Sequence, residues 1–198
     1  MKKMTLSKIA LFVAINMALS ITAITQTNYS TQVVDIKLNG TSNLHDWEMK
    51  AVSGTSAASF VVTNGKVTSL SSLNFSLPAK NLKSGKSAMD KNTYKALKTD
   101  ANPNISFVLT SATVVSTGGN NYKLNCQGKM SIAGKTNQTE LVATAVYNPA
   151  DKSFTVKGVK KMKMTDYNVK PPTALLGTIK TGNDITISYN LNLKLNRS

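Results

Sequence analysis

Apolar and polar residues alternate along most of this chain. The clearest segment runs from Ile185 to Leu195, where every odd position is apolar and the positions between carry Thr, Ser, Asn or Lys. The segment from Val34 to Leu38 shows the same alternation near the start of the chain. Because successive side chains of a strand point to opposite faces, each segment predicts a strand with one buried face and one face in water.

Turn signals separate the predicted strands. Asn64-Gly65 lies between two alternating segments and is the strongest short hairpin signal in the chain. The stretches 118–121 and 148–151 separate two further pairs of strands. About eight strands with hardly any helix leave two architectures, a sandwich or a closed barrel, and periodicity alone does not choose between them.

One helix is predicted to interrupt the strands. It begins near Ser87, which resembles a capping box with Asp90, and Pro103 returns the chain to an extended form. Nothing else buries its apolar stripe, so we expect the helix to close over the end or the side of the sheet. The stripe consists of Met89, Thr93, Ala96 and Leu97.

Residues 1–23 have the pattern of a secretory signal peptide. Three early lysines precede an apolar segment from Ile9 to Met17, which is too short to span a bilayer, and small residues follow up to Ala23. We expect cleavage between positions 20 and 26 and export to the periplasm or the medium. The predicted organisation is a signal peptide over 1–23, a short linker over 24–32 and one barrel domain over 33–196.

The single cysteine, Cys126, excludes an intramolecular disulfide, so an exported domain of this kind must be held together by its core. Cys126 alternates with Leu124 and Met130, and we therefore interpret it as a small buried hydrophobe. A reactive thiol that acts with His45 is the alternative.

The predicted mature chain is strongly basic. The full sequence has 24 basic and 9 acidic residues, and removal of the three signal lysines leaves 21 basic residues and a formal charge of +12. Arg197 is the only arginine, whereas nucleic-acid-binding surfaces usually combine arginine with interleaved aromatic residues. We expect no nucleic-acid partner. A lysine-rich surface suits an anionic membrane surface or a phosphate-bearing lipid head group, and it also serves solubility alone.

The segment from Ser42 to Trp47 concentrates the polar and aromatic chemistry of the chain. It contains the only histidine, His45, and the only tryptophan, with Asp46 between them. Catalysis needs a nucleophile, a metal or an orienting partner, and this segment supplies none. We interpret it as structural or ligand-lining. The alternative is an enzyme that uses His45 and Asp46 on a lipid-like substrate.

The same segment resembles the opening signature of one branch of the YceI-like family. Three further motifs follow in the family's order, and the resemblance covers residues 33–195. It implies an all-β fold, namely an antiparallel lipocalin-like barrel of about eight strands with one short helix, and a long isoprenoid or similar lipid inside it. The motifs are Ser42-Asn43-Leu44-His45-Asp46-Trp47, Met89-Asp90 through Leu97 to Pro103-Asn104-Ile105-Ser106-Phe107, Gly128-Lys129-Met130-Ser131-Ile132-Ala133-Gly134-Lys135-Thr136, and Met164-Thr165-Asp166-Tyr167.

Ten residues are predicted to line the lumen or its mouth as lipid-binding candidates, and no residue is predicted to be catalytic or to ligate a metal. The connection from Lys170 to Leu176 is expected to pack across the opening as a flap. Lys160 shares the apolar side of its strand, so it either reaches a lipid head group or is turned outward by a bulge at Gly158, which we expect. The ten candidates are His45, Trp47, Phe60, Phe75, Met89, Tyr94, Leu97, Phe107, Tyr189 and Leu191.

These patterns predict non-enzymatic binding and transport of an amphiphilic isoprenoid-type lipid outside the cytoplasm, with no cofactor besides the bound lipid. The expected partners are a long-chain isoprenoid or similar lipid and an anionic membrane surface, and a homodimer is left open. Besides the enzyme, the remaining alternative is a stress-response or surface module whose barrel is filled with side chains.

Overall fold

The computed structural model describes residues 25–31 and 34–196, so the predicted signal peptide lies outside the described residues. Strands make up most of the described chain, and the one α-helix in this part, α1, spans Ser87–Leu97. The strands are β1 (Thr25–Thr31), β2 (Val34–Ser42), β3 (Trp47–Ala51), β4 (Thr55–Thr63), β5 (Lys66–Pro78), β6 (Leu82–Lys83), β7 (Asn104–Gly118), β8 (Asn121–Ile132), β9 (Lys135–Asn148), β10 (Ser153–Lys163), β11 (Thr173–Ala174) and β12 (Ile179–Leu195), and 3₁₀ turns span Ala79–Asn81, Met164–Tyr167 and Leu175–Gly177.

Eight strands form a closed ring. Their order is β1-β4-β5-β7-β8-β9-β10-β12, after which β12 returns to β1. The pairings are antiparallel, and Tyr29 opposite Leu195 belongs to the pair of strands that closes the ring. A sandwich would leave its two sheets with separate edges, whereas closure removes them. The predicted barrel is therefore confirmed.

Three further strands, β2, β3 and β6, extend the wall at one end of the ring. β12 pairs with β1 near its C-terminus and with β2 over most of its remaining length. β2 then pairs with β3, and β3 pairs with β6, which directly precedes the loop into α1. The wall therefore continues from β12 to the segment that positions the helix.

The N-terminal boundary differs from the predicted one. The sequence predicts a linker over 24–32, but Thr25–Thr31 forms β1, which pairs with β4 along its whole length. Six of its seven residues are polar, so the alternation that marks the other strands is absent. The strand is held instead by its backbone pairs and by one anchoring ring, Tyr29, which is 2% exposed.

The predicted hairpins are present. Asn64 and Gly65 connect β4 to β5 with φ angles of 51° and 74°, the left-handed pair that a two-residue hairpin turn favours. Short turns likewise connect β7 to β8 and β9 to β10. In the second of these, the Ala150 N–H donates to the Asn148 side chain at 3.1 Å.

At two places in the ring, neighbouring strands separate partway along their length. The β9–β10 ladder ends at Ala143 opposite Gly158, and the β5–β7 ladder covers only the last residues of β5. Tyrosine hydroxyls bridge both openings. Tyr122 on β8 accepts a hydrogen bond from the Val67 N–H at 3.1 Å, and the Tyr167 hydroxyl lies 2.9 Å from that of Thr139. These side chains supply polar partners where the ladders stop.

Candidate functional site

The barrel is hollow at the end where α1 lies. The cavity measures about 440 Å³, within the usual range for small-molecule sites of roughly 300–1,000 Å³. Its walls come from the inward faces of the strands, and α1 contributes one side. Within the stretch 185–193 of β12 the wall residues are the odd-numbered positions, as the alternation predicts: Ile185, Ile187, Tyr189, Leu191 and Leu193.

A packed cluster of aromatic rings forms the floor of the cavity. Phe60 stacks on Phe154 with ring centroids 4.0 Å apart and planes 12° from parallel. Tyr29 meets both rings edge-on, and Tyr147 packs against Phe154 with centroids 4.9 Å apart. All four side chains are buried. Burial also raises the pKa of Tyr29 to about 12, with a smaller contribution from Tyr147.

α1 covers the cavity with the face that the sequence predicts. None of its residues is fully buried, and the residues of this face that pack against the core also border the cavity. The Thr93 hydroxyl contacts the Met49 Sδ on β3 at 3.4 Å and so joins the helix to the wall. The helix residues that line the cavity are Ala88, Met89, Asn92, Thr93, Ala96 and Leu97.

The start of α1 differs from the prediction. Lys86 is the N-cap, and its side chain makes no capping hydrogen bond, so the capping box predicted for Ser87 is wrong. The Asp90 carboxylate accepts hydrogen bonds from the Ser84 backbone N–H at 2.8 Å and from the Ser84 hydroxyl at 2.7 Å. This carboxylate therefore fixes the loop before the helix.

The segment from Ser42 to Trp47 forms a tight loop at the mouth of the cavity. The Ser42 hydroxyl accepts from the His45 N–H at 3.1 Å and donates to the His45 carbonyl at 2.7 Å. His45 is exposed, and its Nδ1 lies 2.7 Å from the backbone carbonyl oxygen of Asp46. A catalytic pair would use the carboxylate instead. The loop orients the ring at the rim without activating it.

Trp47 lies flat on the wall just inside this loop. Its Nε1 donates to the Thr41 carbonyl at 2.9 Å, and a Cβ added at Gly40 would clash with the ring. Glycine at position 40 is therefore required by this close approach. The same arrangement recurs twice on the wall, with Phe107 over Gly128 and Tyr189 over Gly158. Rings that lie flat on glycines leave the space at the centre open.

Tyr189 also bridges the opening between β9 and β10. Its hydroxyl donates to the Val142 carbonyl at 3.1 Å, one residue beyond the last β9–β10 pair. Burial raises the pKa of Tyr189 to about 12, and Cys126 adds to this shift. The hydroxyl is consequently protonated at neutral pH and able to donate.

Cys126 lies in the cavity wall and is 3% exposed. Burial raises the pKa of its thiol to about 11, so the thiolate is scarce at neutral pH. The prediction of a small buried hydrophobe is confirmed. The environment opposes the alternative of a reactive thiol, because reactive cysteines need a lowered pKa.

The described residues contain neither a cluster of metal ligands nor a helix suited to span a membrane. In residues 25–31 and 34–196, no three His, Cys, Asp or Glu side chains are grouped so as to hold a metal ion. In the same part of the chain, no helix is long and apolar enough to cross a membrane.

Nine of the ten lumen candidates line the cavity: His45, Trp47, Phe60, Phe75, Met89, Leu97, Phe107, Tyr189 and Leu191. Their part in lipid binding stays a prediction. The placement of Tyr94 was wrong. Its hydroxyl lies 2.9 Å from the carbonyl oxygens of Lys80 and Leu82, and the Lys83 ammonium lies 5.2 Å from its ring centroid. Tyr94 thus fastens α1 to the segment before it.

Two further expectations need correction. The bulge at Gly158 is wrong, because β10 pairs with β12 without a shift from Phe154 to Lys163, and Lys160 lines the cavity. The flap is correct only in part. Residues 172–174 line the cavity, but Leu175 and Leu176 are 72% and 109% exposed. A 3₁₀ turn with left-handed φ angles at both leucines directs them outward.

Sequence reasoning favoured aromatic residues and missed much of the aliphatic wall. The missed residues occupy apolar positions on strands and carried the alternation signal used for β12. They include Leu38, Met49, Leu73, Ile105, Met130 and Leu141.

Comparison with known proteins gives one family and several structural likenesses. A family model described as YceI-like domain matches residues 25–193. The fold is similar to a polyisoprenoid binding domain from Saccharophagus degradans, with a TM-score of 0.64 and 8% identity over 87% of this chain and 100% of that chain. It is also similar to BcnA of Burkholderia cenocepacia, with a TM-score of 0.61 and 18% identity over 80% of this chain and 95% of that chain.

A third likeness is to the YCEI protein of Campylobacter jejuni, with a TM-score of 0.54 and 13% identity over 72% of this chain and 82% of that chain. No curated protein matches the sequence. At these identities the likenesses concern the fold.

Proposed function

Because the chain belongs to the YceI-like domain family, we propose that it binds one amphiphilic, isoprenoid-type lipid inside its barrel. The observation that carries the proposal is the cavity of about 440 Å³, whose wall is mainly aliphatic and aromatic. The Saccharophagus degradans domain, which has the same fold and is described as polyisoprenoid binding, supports this ligand class. The filled-barrel alternative is disfavoured, because a filled barrel has no space of this size.

The binding energy would come from the hydrophobic effect. A tail that buries about fifteen methylene-sized groups gains about 12 kcal/mol at about 0.8 kcal/mol for each group. Association costs roughly 4–15 kcal/mol in lost motional freedom, so a long tail is needed for useful affinity. The mainly apolar wall is suited to an extended tail rather than to a small polar molecule.

The proposed activity is binding without catalysis. The exposed His45 ring contacts a backbone carbonyl, and the thiol of Cys126 has a pKa raised to about 11. Neither group has the environment of a general base or a nucleophile. These observations disfavour the alternative of an enzyme that acts on a lipid-like substrate with His45 and Asp46.

We further propose that the protein works outside the cytoplasm and exchanges its lipid at an anionic membrane surface. The signal-peptide pattern of residues 1–23 supports the location. Three exposed leucines at the rim support the exchange. Leu44 is 64% exposed, and Leu175 and Leu176 are more exposed still.

One residue ties the two rim loops together. Asn43 donates to the Thr178 carbonyl at 2.9 Å and accepts from the Lys180 N–H at 2.8 Å. The leucines of both loops therefore lie at one rim of the cavity, and the exposed lysines of the cavity lining are Lys86 and Lys163. Apolar side chains flanked by lysines suit insertion among anionic lipid head groups.

A thermal-shift experiment with delipidated protein and geranylgeraniol tests the proposed function. Ligand at one hundred times its Kd should stabilise the native state by about 2.7 kcal/mol. For a chain of this size that corresponds to a rise in Tm of roughly 5–11 °C. Mass spectrometry of protein from its native host should also find about one lipid per chain. Absence of both the Tm rise and the retained lipid would rule out the carrier.

Variants of α1 provide the matched control. Ala96 faces the cavity, so Ala96→Phe should fill part of it and weaken the response to geranylgeraniol. Lys95 is exposed on the same helix, so Lys95→Ala should respond like the wild type. An equal response from both variants would place the ligand elsewhere.

A further inference from the structure

Lys160 lies on the inward face of β10. The β10–β12 register is unbroken and sets Lys160 opposite Ile187, which is itself a wall residue. Val156 and Met162 lie an even number of positions from Lys160 and therefore on the same face of β10, and both line the cavity. The side chain of Lys160 is half-buried. A lysine therefore stands among apolar neighbours in the wall.

The charges around the cavity have one sign. Its charged side chains are Lys86, Lys160 and Lys163, and no aspartate or glutamate among the described residues lines it. The ion pairs in the described part of the chain lie elsewhere, between Lys50 and Glu48 and between Lys80 and Asp100. Lys160 consequently has no carboxylate partner within residues 25–31 and 34–196.

Lys160 differs from the other two lysines in its position. Lys86 and Lys163 are exposed, so water solvates their ammonium groups. The opening between β9 and β10 is bridged by Tyr167, which also lines the cavity, is 3% exposed and reaches Thr139 on β9. An ammonium group in such surroundings is costly unless an anion or several polar groups compensate it.

We propose that the cavity is specific for lipids whose polar end carries an oxyanion, either a carboxylate or a phosphate, and that the Lys160 ammonium donates to it. The proposal rests on lipid binding as the function and adds the class of head group. A charge-assisted hydrogen bond of this kind is about twice as strong as a neutral one. The apolar walls then hold the tail, and Lys160 fixes where the head group stops.

Paired ligands that differ only at the head group test this inference. Binding of farnesol and farnesyl phosphate, and of oleyl alcohol and oleate, is measured on delipidated protein by the fluorescence of Trp47, which lines the mouth. The wild type should bind the anionic member of at least one pair about tenfold more tightly than its alcohol. A preference in the farnesyl pair alone would identify the preferred head group as a phosphate. A preference in the oleyl pair alone would identify it as a carboxylate. A preference in both pairs would mean that the cavity accepts either oxyanion.

Two lysine variants locate the preference. Lys160→Met keeps the length and the packing of the stem, so it should bind the alcohols as the wild type does and lose the tenfold preference. Lys161→Met is the matched control and should keep the preference, because Lys161 is exposed on the outward face of the same strand and does not line the cavity. A preference that survives in Lys160→Met, or that is absent from the wild type, would overturn the inference.

The same measurements separate this inference from the function on which it rests. If the wild type binds the alcohols but shows no preference for the anions, lipid binding stands and the role of Lys160 is wrong. If it binds neither the alcohols nor the anions, lipid binding itself is wrong. Binding of the alcohols by Lys160→Met also serves as the folding control for that variant.

Discussion

The two ends of the barrel use the same strands in opposite ways. At the floor, Phe60 and Phe154 are buried to 1% and 0% exposure and stack on each other. At the hollow end, Leu38, Leu73 and Phe75 also face inward, yet they are only half-buried. The alternation of apolar and polar residues is similar at both ends. At the floor the inward side chains are enclosed by other side chains, whereas at the hollow end they pack against the core on one side and border the cavity on the other.

This difference separates stability from binding. Close packing of large side chains provides most of the stability that a core can give, so the floor should dominate the free energy of unfolding. Wall residues that border the cavity forgo those contacts and retain apolar surface for a ligand. At three wall positions aromatic rings lie on glycines, which keeps large side chains out of the space. The hollow end is therefore less tightly packed than the floor and has space for a ligand.

The largest expected effect on the free energy of unfolding comes from replacing one phenylalanine at each end of the barrel with alanine. Phe154→Ala should lower the free energy of unfolding by about 3–5 kcal/mol, because it removes a ring that contacts three others. Phe75→Ala should cost less than half as much, since its ring borders the cavity. Urea unfolding of both variants without ligand gives the two values.

Ligand binding should rank these variants in the opposite order. Phe75→Ala should weaken geranylgeraniol binding, whereas Phe154→Ala, where it remains folded, should weaken it less because Phe154 does not line the cavity. Equal losses of stability in the two variants would mean that the hollow end is packed as tightly as the floor, and the comparison would fail.

An intermediate effect is expected at alkaline pH. The pKa values of Tyr29 at the floor and Tyr189 in the wall are both raised from 10.0 to about 12 by burial. The unfolded chain therefore loses these protons at lower pH than the native protein does. Their contribution to stability is complete below about pH 10 and is lost as the pH rises through about 12.

Phenylalanine at either tyrosine removes part of this alkaline loss. Tyr29→Phe and Tyr189→Phe should each show a shallower decline in urea-unfolding free energy between pH 10 and pH 12. Bound lipid should protect against the decline only through Tyr189, which lines the cavity. An unchanged slope in both variants would show that neither tyrosine is ionised preferentially in the unfolded chain.

Much of this architecture follows from local patterns in the sequence. The one-sided strands, the Asn64-Gly65 hairpin and the face of α1 all depend on the period of side-chain direction, which short segments determine. β1 was missed because six of its seven residues are polar and its place is set by pairing with β4 and, at closure of the ring, with β12. Closure is a long-range event that no local pattern encodes.

The site was harder to predict than the fold for a related reason. Whether an inward residue is packed or borders a cavity depends on its partners from distant strands, so Phe60 and Phe75 look alike in sequence. Lys160 was expected to be turned outward because a lysine among apolar neighbours is costly. The unbroken pairing of β10 with β12 shows that this cost is tolerated, and a site made to bind a ligand is where such an exception is expected.

The smallest effect on stability, and the last step of the comparison, concerns the rim. Leu176 is fully exposed and has a φ angle of 54°, a conformation that costs a non-glycine residue of order 1 kcal/mol. Its side chain therefore adds no burial, while its backbone carries strain, so Leu176→Gly should leave stability unchanged or raise it by up to about 1 kcal/mol.

If the leucine serves the exchange of lipid with a membrane, the same variant should bind more weakly to vesicles of phosphatidylcholine and phosphatidylglycerol in a sedimentation assay. Leu176→Ser keeps the strain and removes the apolar side chain, so it should match the glycine variant in vesicle binding but not in stability. Val115→Ser is the control, because Val115 is 51% exposed on β7, near the turn into β8, and belongs to neither rim loop. Vesicle binding that is equal in all three variants and the wild type would assign the exposed leucines no role at a membrane, and the strain at Leu176 would then have no functional explanation.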